Sequence, residues 1–430
     1  MTTHHELKSA PPVNPEVPSD LAGLIDELAT GLRSLHDLPA GLGADEAARL
    51  RRTALEHRHR VTLPGVGAYT MDLGRARCEN VLGAVQVPLG VAGPVTVHGE
   101  HVEGEDLHVP LATTEGALIA SVARGCRALS EAGGVTVRVE DVGITRAPLF
   151  ATSGIEESRG LVAWVAENED RLAAVAAEGS AHLRLREIRP QIVGRSVYLR
   201  FRFACGDAMG MNMATVACER IVREHIEPAT GVRCVALSGN YCADKKPAAV
   251  NFLEGRGKRI TAEAWLDADV LSRVLRTDRD RLVEVNYRKN LVGSAAAGSL
   301  GGFNAHYANM VAAFFLATGQ DLAQVAEACQ GITCVEPLGQ EGGVYVSVFL
   351  PDVPLATVGG GTGLDTQREA LALLGIGVPG AEREPGADAL RLAEILGAVV
   401  LAGELNLLAA LAGGSLASAH QKLGRPVASP

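Results

Sequence analysis

The chain has 430 residues, 47% hydrophobic and 21% charged, with a net charge of −10 and an isoelectric point near 5.7. That length supports two or three domains, each with its own core. The acidic balance argues against nucleic acid as a partner, because nucleic-acid binding shows as a basic stripe. Eight cysteines, with no CxxC pair and no ligand-like spacing to histidine, read as reduced thiols of a cytoplasmic protein and point to no metal site.

Residues 1–20 are polar and Pro-rich and read as a disordered leader without the basic-then-apolar pattern of a signal peptide. LAGLIDELATGLRSLHDL and ADEAARLRRTALEHRHR carry helical apolar spacing and make a helical N-terminal region, 21–81. ENVLGAVQVPLGVAGPVTVHGE is strand-like, punctuated by Gly and Pro. In LATTEGALIASVARGCRALSEAGG, Thr113 or Thr114 can cap a helix that buries Leu118, Val122 and Leu129 and stops at Gly133-Gly134. VTVRVEDVGI and SVYLRFRFA alternate with period two, which predicts strands with one wet face. A helix lies between them in NEDRLAAVAAEGSAHLRLREI, and MNMATVACERIVREHI follows as another. This order predicts a compact α+β insert, 146–236. Beyond it, NAHYANMVAAFFLATG and DLAQVAEACQ read as helices and GGVYVSVFLP as a strand. The end is a long helical stretch broken at Gly413-Gly414. No single apolar run reaches ~20 residues, so no membrane anchor is expected.

Lysine is scarce: six residues against 34 arginines, three of them in LSGNYCADKKPAAVNFLEGRGK, including the adjacent Lys245 and Lys246. A solvated surface pair is the plain reading. A site that needs a compact ammonium with three donors is the other. FACGDAMGMNMATVACER sets Gly206, Asp207, Met209, Gly210, Met211 and Asn212 at a strand-to-helix turn, where backbone N–H groups and the helix end favour an anion. Tight packing explains that turn equally well, and it is not the GxGxxG of a Rossmann site. TVGGGTGL, with Val358, Gly359, Gly360, Gly361 and Thr362, is a second such turn. Glu115 opens a helix and Asp321 begins another, both ordinary places for a carboxylate. His420 sits near the C-terminus, where most histidines are exposed.

Together these blocks resemble 3-hydroxy-3-methylglutaryl-coenzyme A reductase, and within it the soluble catalytic portion of the class I enzymes. The resemblance is carried by ENVLGAVQVPLGVAGPV, LATTEGALIASVARGCRAL, GDAMGMN, SGNYCADKKPAAVNFLEGRGK, KNLVGSAAAGSLGGFNAH, TVGGGTGL and AGELNLLAALAGGSLASAHQ, in order from about 79 to 425. It implies four-electron reduction of a thioester to mevalonate and free CoA by two nicotinamide hydrides. By position in ADKK, Lys245 becomes the cation facing the oxyanion that forms as hydride arrives. Glu115 becomes a general acid, Asp321 the carboxylate beside it, and His420 the proton donor to the departing thiolate. Arg146, Ser238, Asp244, Lys246 and Lys289 should hold the hydroxymethylglutaryl part, with Asn309 supporting Lys245 and Glu115. Asp207, Met209, Gly210, Met211 and Asn212 should line the nicotinamide cofactor with Val358, Gly359, Gly360, Gly361 and Thr362. The resemblance further implies a large α+β domain, 82–145 and 237–425, for substrate and CoA, an inserted small α+β domain, 146–236, for the nicotinamide cofactor, and a homodimer or homotetramer with active sites built between subunits.

Two departures stand out. Where class I members carry a Ser-Arg-Phe-like segment for the 2′-phosphate of NADPH, this chain has Ser180-Ala181-His182. Arg184 and Arg186 lie close enough in sequence to substitute, so NADPH is expected and NADH stays open. The ending GRPVASP has Pro426 where animal members carry a regulatory serine. The same catalyst working oxidatively on mevalonate, or a non-catalytic CoA-ester-binding homologue, are the alternatives.

Overall fold

The computed structural model describes residues 22–39, 42–68, 84–180, 182–380 and 383–414; the expected leader, 1–20, lies outside them. Eleven strands are present among the described residues: β1 (Leu89–His98), β2 (Glu103–Ala112), β3 (Val135–Arg146), β4 (Leu149–Ala151), β5 (Arg184–Val193), β6 (Ser196–Ala204), β7 (Arg233–Ala236), β8 (Arg256–Leu266), β9 (Gly302–Phe303), β10 (Gly331–Leu338) and β11 (Gly343–Val353). They run in the order β7-β4-β6-β3-β8-β11-β10-β9, with β1 on β2 and β3, and β5 on β6. The fold is mixed α and β, as expected.

β3 joins two sheet regions. From Thr136 to Gly143 it pairs with β8, and its last residues, Ile144 to Arg146, pair with β6. The buried apolar residues divide accordingly. One cluster gathers Val135, Val137, Ile260, Val346 and Leu396; the other gathers Phe150, Leu172, Phe201, Phe203 and Ile221. Arg146 is the last residue of β3, just past that division.

The helix Leu118–Glu131 buries Leu118, Val122, Cys126 and Leu129, the spacing of one helical face. It crosses the helix Ala387–Ala412 at Gly125, where a Cβ would come within 1.9 Å of the Ala402 carbonyl oxygen. Only glycine allows that approach. Ala387–Ala412 spans 26 residues, holds an 18-residue window of mean hydropathy 2.0 and is long and apolar enough to cross a membrane, yet 83% of that window is buried inside the fold. It exceeds the separate apolar runs of the sequence because its interrupting charges are all satisfied. Arg391 meets Glu105 at 2.6 Å, Glu394 accepts the Glu100 N–H at 2.7 Å, and Glu404 accepts from Ala305 N–H, His306 N–H and Thr333 Oγ1, each at 2.7 Å.

The structure corrects several expectations. The first helix is Ala22–Thr30 and ends well before Leu38, because Gly31 turns left-handed at φ 81°. Neither Thr113 nor Thr114 caps Leu118–Glu131; the N-cap is Ala117, and Thr113 Oγ1 accepts the Glu115 N–H at 3.0 Å. β6 has no wet face. Arg200 and Arg202 are buried in ion pairs with Glu254 and Glu187, helped by Asn251. The strands β2, β5 and β8 carry no expectation from the sequence, although β8 is central.

Candidate active site

The chain leaves β7 and enters the loop that holds Ser238, Asp244, Lys245 and Lys246. Lys245 Nζ lies 2.8 Å from Asp321 Oδ2, with the two side chains 43% and 40% exposed. Asp321 does have the plain role of a cap: its Oδ1 accepts the Ala323 N–H at 3.0 Å, at the start of Leu322–Gln324. Its other oxygen is the one on Lys245. Both readings of the residue hold at once.

Asp321 is carried by a turn pressed onto the TVGGGTGL segment. A Cβ on Gly319, which has φ 75°, would sit 2.5 Å from the Gly361 carbonyl carbon and oxygen. Gln320 fastens the same turn, bonding the Ala356 N–H and C=O at 2.8 and 2.9 Å. TVGGGTGL in turn meets the DAMG turn. Thr357 N–H donates to Asp207 C=O at 2.9 Å, and Ala208 and Val358 form a parallel bridge. Three turns separated in sequence thus make one surface, with Lys245 at its edge.

The Asp207 carboxylate braces this surface. It accepts the Gly386 and Ala389 N–H groups at 2.7 and 3.0 Å and so caps Ala387–Ala412, where the helix dipole favours it. Gly210, at φ 83°, turns the chain into the helix Met211–Ile221, whose first N–H groups take no side-chain cap among the described residues. A Cβ there would strike Cys205 Sγ at 2.1 Å. Gly359 and Gly360 face open space, with nothing within 4 Å of an added Cβ. Val358 and Asn212 are exposed, Met209 and Met211 half-buried, and Thr362 buried, its hydroxyl donating to Gly359 C=O at 2.7 Å. Ser180 Oγ lies 3.6 Å from Met213 Sδ, beside the start of that helix. Open glycines beside uncapped N–H groups suit the phosphates and ribose of a nucleotide.

The remaining candidates divide into two groups. Near Lys245, Ser238 Oγ lies 3.5 Å from Cys242 Sγ, and Lys246 Nζ donates to Asp244 C=O at 3.1 Å. Arg146 is half-buried, and its Nε has no protein partner among the described residues, which leaves a donor for a ligand. Glu115, Lys289 and Asn309 form the second group. Glu115 is exposed, Lys289 lines a surface cavity of about 450 Å³ with Arg288 and Leu411, and Asn309 Nδ2 bonds His306 Nδ1 at 3.1 Å. Among the described residues, none of these three side chains shares a hydrogen bond or ion pair with Lys245 or Asp321. His420 lies outside the described residues.

Four polar residues behind Lys245 carry no signal that sequence reasoning used: Arg256, Gln324, Glu327 and Asp352. Arg256 is fully buried and bonds Asp244, Gln324 and Glu327 at 2.9, 3.2 and 2.5 Å. The one available hint was an arginine amid small residues in LEGRGK, next to the lysine pair.

Comparison with known proteins agrees across sequence and fold. The profile of the hydroxymethylglutaryl-coenzyme A reductase family matches residues 47–425. The 3-hydroxy-3-methylglutaryl-coenzyme A reductase of Pyrococcus abyssi is 49% identical over 94% of this chain and 99% of its own length. That of Methanothermobacter thermautotrophicus is 50% identical over 94% and 99%. Rice 3-hydroxy-3-methylglutaryl-coenzyme A reductase 1 is 45% identical over 94% of this chain and 76% of its own length. Among solved structures, the class II enzyme of Streptococcus pneumoniae bound to NADPH superposes with a TM-score of 0.60 at 20% identity, covering 78% of this chain and 87% of that one. At that identity the likeness establishes a shared fold.

Proposed function

The chain belongs to the hydroxymethylglutaryl-coenzyme A reductase family, and from that premise we propose how its residues reduce 3-hydroxy-3-methylglutaryl-CoA to mevalonate. The observation that carries the reading is the Lys245–Asp321 pair at the edge of the three joined turns.

A nicotinamide cofactor would be held by the DAMG turn and the uncapped start of Met211–Ile221 on one side and by Val358 to Thr362 on the other. Bound there, it would supply one hydride, and a second molecule taking its place would supply the other. Lys245 then steadies the negative charge that each carbonyl oxygen develops, a fixed cation where charge appears. A single ammonium can follow that oxygen as its carbon becomes tetrahedral. After the first reduction the C–S bond breaks, the electron pair leaves on sulfur, and His420 gives the thiolate its proton. Glu115 protonates the oxygen that becomes the alcohol. Arg146, Lys246 and Ser238 hold the substrate's carboxylate end; Asp244, itself held by Arg256, orders the loop between them.

NADPH is the donor we favour. Arg186 Nη2 is engaged with Asp141 Oδ2 at 3.1 Å. Arg184 is exposed, pairs across the sheet with Ala204 next to the DAMG turn, and enters no ion pair among the described residues. Arg184 is therefore the better cation for a 2′-phosphate. We also take Glu115, Lys289 and Asn309 to serve the site of a second copy of the chain, since none of them bonds Lys245 among the described residues.

The test is turnover of the purified chain with the thioester and NADPH. Mevalonate, free CoA and two NADPH oxidised per thioester are expected; binding without turnover would favour the non-catalytic alternative. Mixing Lys245→Ala chains with Glu115→Gln chains, each inactive alone, should restore activity if the site is shared between copies.

A further inference from the structure

Lys245 is held in place by a buried charged cluster behind its loop. Arg256 and Asp352 stand opposite one another where β8 and β11 pair irregularly. Arg256, Glu327 and Asp352 are 0%, 0% and 1% exposed. Arg256 reaches Glu327 Oε1 at 2.5 Å and Asp244 Oδ1 at 2.9 Å, so one buried cation bonds two carboxyl groups, with a third, Asp352, opposite it. The Glu327 carboxyl lies against Asp352, and neither oxygen of Asp352 meets a protein donor among the described residues. Asn251 is close to both, but its amide protons go to Ala243 C=O and Glu327 Oε2, each at 3.1 Å. Two carboxylates in contact and away from water cannot both ionise. Burial, then the Glu327 charge, pushes Asp352 well above the usual carboxylate range; burial also raises Glu327, with Arg256 opposing it. Of the two carboxyl groups, Asp352 is pushed further toward the protonated form, and Glu327 is the neighbour that its O–H would face.

The loop in front needs holding. Asn240, Ala243 and Lys245 have φ of 64°, 52° and 59°, half of the six non-glycine residues with left-handed backbone among those described. Each such residue costs about 1–2 kcal/mol, so an untethered loop would relax. Three successive tethers prevent this. Asn251 donates to Ala243 C=O, Arg256 and Gln324 hold the Asp244 carboxylate at 2.9 and 3.0 Å, and the Lys245 N–H donates to Glu327 Oε1 at 3.3 Å.

We propose that Glu327 is a positioning residue for Lys245: kept anionic by Arg256 and by an O–H from Asp352, it anchors the Lys245 backbone and so aims the ammonium at the reacting carbonyl. The inference rests on Lys245 being the cation that meets the oxyanion. The charged and titratable groups facing the Glu327–Asp352 pair are Cys329 on the segment after Asp321, Arg256 on β8, and Asp244 on the loop, with the Lys245 backbone N–H on Glu327.

The experiment compares full-length parent, Glu327→Gln, Asp352→Asn, Asp352→Leu and Lys245→Ala. Misplacing a catalytic group by about 1 Å costs about 100-fold, so Glu327→Gln should lose about that in kcat while both KM values stay within about threefold. Asp352→Asn, whose amide N–H replaces the O–H, should keep kcat within about threefold, and Asp352→Leu should fall with Glu327→Gln. The infrared spectrum of the parent near neutral pH should show a carboxylic-acid carbonyl band that Asp352→Asn lacks. A folded Glu327→Gln with parental kcat beside a dead Lys245→Ala overturns the inference alone. If Glu327→Gln does not fold, equal rates for Asp352→Asn and Asp352→Leu overturn it, as does persistence of the band in Asp352→Asn. An active Lys245→Ala overturns the reading beneath it.

Discussion

Replacing Lys245 with alanine separates catalysis from stability. The Lys245–Asp321 pair has side chains 43% and 40% exposed, so solvent screens it, and its net contribution is about 0–1 kcal/mol. Alanine at φ 59° carries the same backbone cost as lysine. Asp321 keeps its cap on Ala323 N–H, and Glu327 keeps the backbone N–H of residue 245. Folding stability should therefore fall by about 1 kcal/mol at most, a shift in Tm of about 2–4 °C or less for domains of this size. Activity should fall far more. Removing one preorganised donor to an oxyanion costs about 10²–10³ in kcat, and here the donor is a full charge. Lys245→Arg retains the charge but presents a planar fork fixed farther from the backbone, and it should recover only a small part of the loss. Steady-state NADPH oxidation and thermal unfolding on the same preparations decide it. A Lys245→Ala chain within about tenfold of the parent's kcat, or one whose loss only tracks a collapse in Tm, would refute the reasoning.

Gly319→Ala adds a Cβ 2.5 Å from Gly361 at a left-handed position; it should raise KM for the nicotinamide at least about tenfold and destabilise by about 1–3 kcal/mol, read by titration and urea unfolding. Arg184→Ala should lower the NADPH-to-NADH ratio of kcat/KM at least about tenfold, while Arg186→Ala, which breaks the contact with Asp141, leaves the ratio near the parent's. His108 is buried against His59, and burial holds its imidazole down at about 3 against an ordinary 6.5. The unfolded chain then takes a proton below 6.5 that the folded chain refuses until about 3, so stability is full above that window and is lost as pH falls through it. Urea unfolding should show a drop of about 2 kcal/mol between about pH 7 and about pH 5, and a slope shallower by about one proton in His108→Gln.

What the sequence disclosed depended on whether a residue's type or its neighbours decide its role. Lys245 was legible because lysine is rare in this chain and clustered in one polar stretch. Asp321 was legible as a cap from the polar-to-apolar switch that follows it. Arg256 and Asp352 were not, because a polar residue in an alternating strand looks like a solvent-facing one until the covering elements are known, and Glu327 in its short helix looks solvent-facing for the same reason. Arg200 and Arg202 misled for the same reason: the period of β6 is visible, but not the Glu254 and Glu187 that cover its polar face. Gly319 and Gly361 look like two unrelated turn glycines; only the fold brings them into contact. His420, the candidate beyond residue 414, keeps its sequence-based reading alone.

The charge arrangement explains how two adjacent lysines are tolerated and left usable. Behind the loop, Arg256 offsets one of the two ionised carboxylates, Glu327 and Asp244, while protonated Asp352 adds no charge. The cluster therefore presents about one net negative charge to the loop, and Asp321 adds another in front of it. Lys245 and Lys246 balance these, so neither ammonium stands against uncompensated positive charge. An ammonium has three N–H donors. Lys245 commits one to Asp321 and remains 43% exposed, so a substrate oxygen can take another without breaking the pair. A lysine wrapped in buried carboxylates would have to surrender a partner to do the same. Placing the buried charges on the backbone of the loop, and leaving the Lys245 side chain with one exposed partner, fixes where the cation stands while keeping its remaining donors free for chemistry.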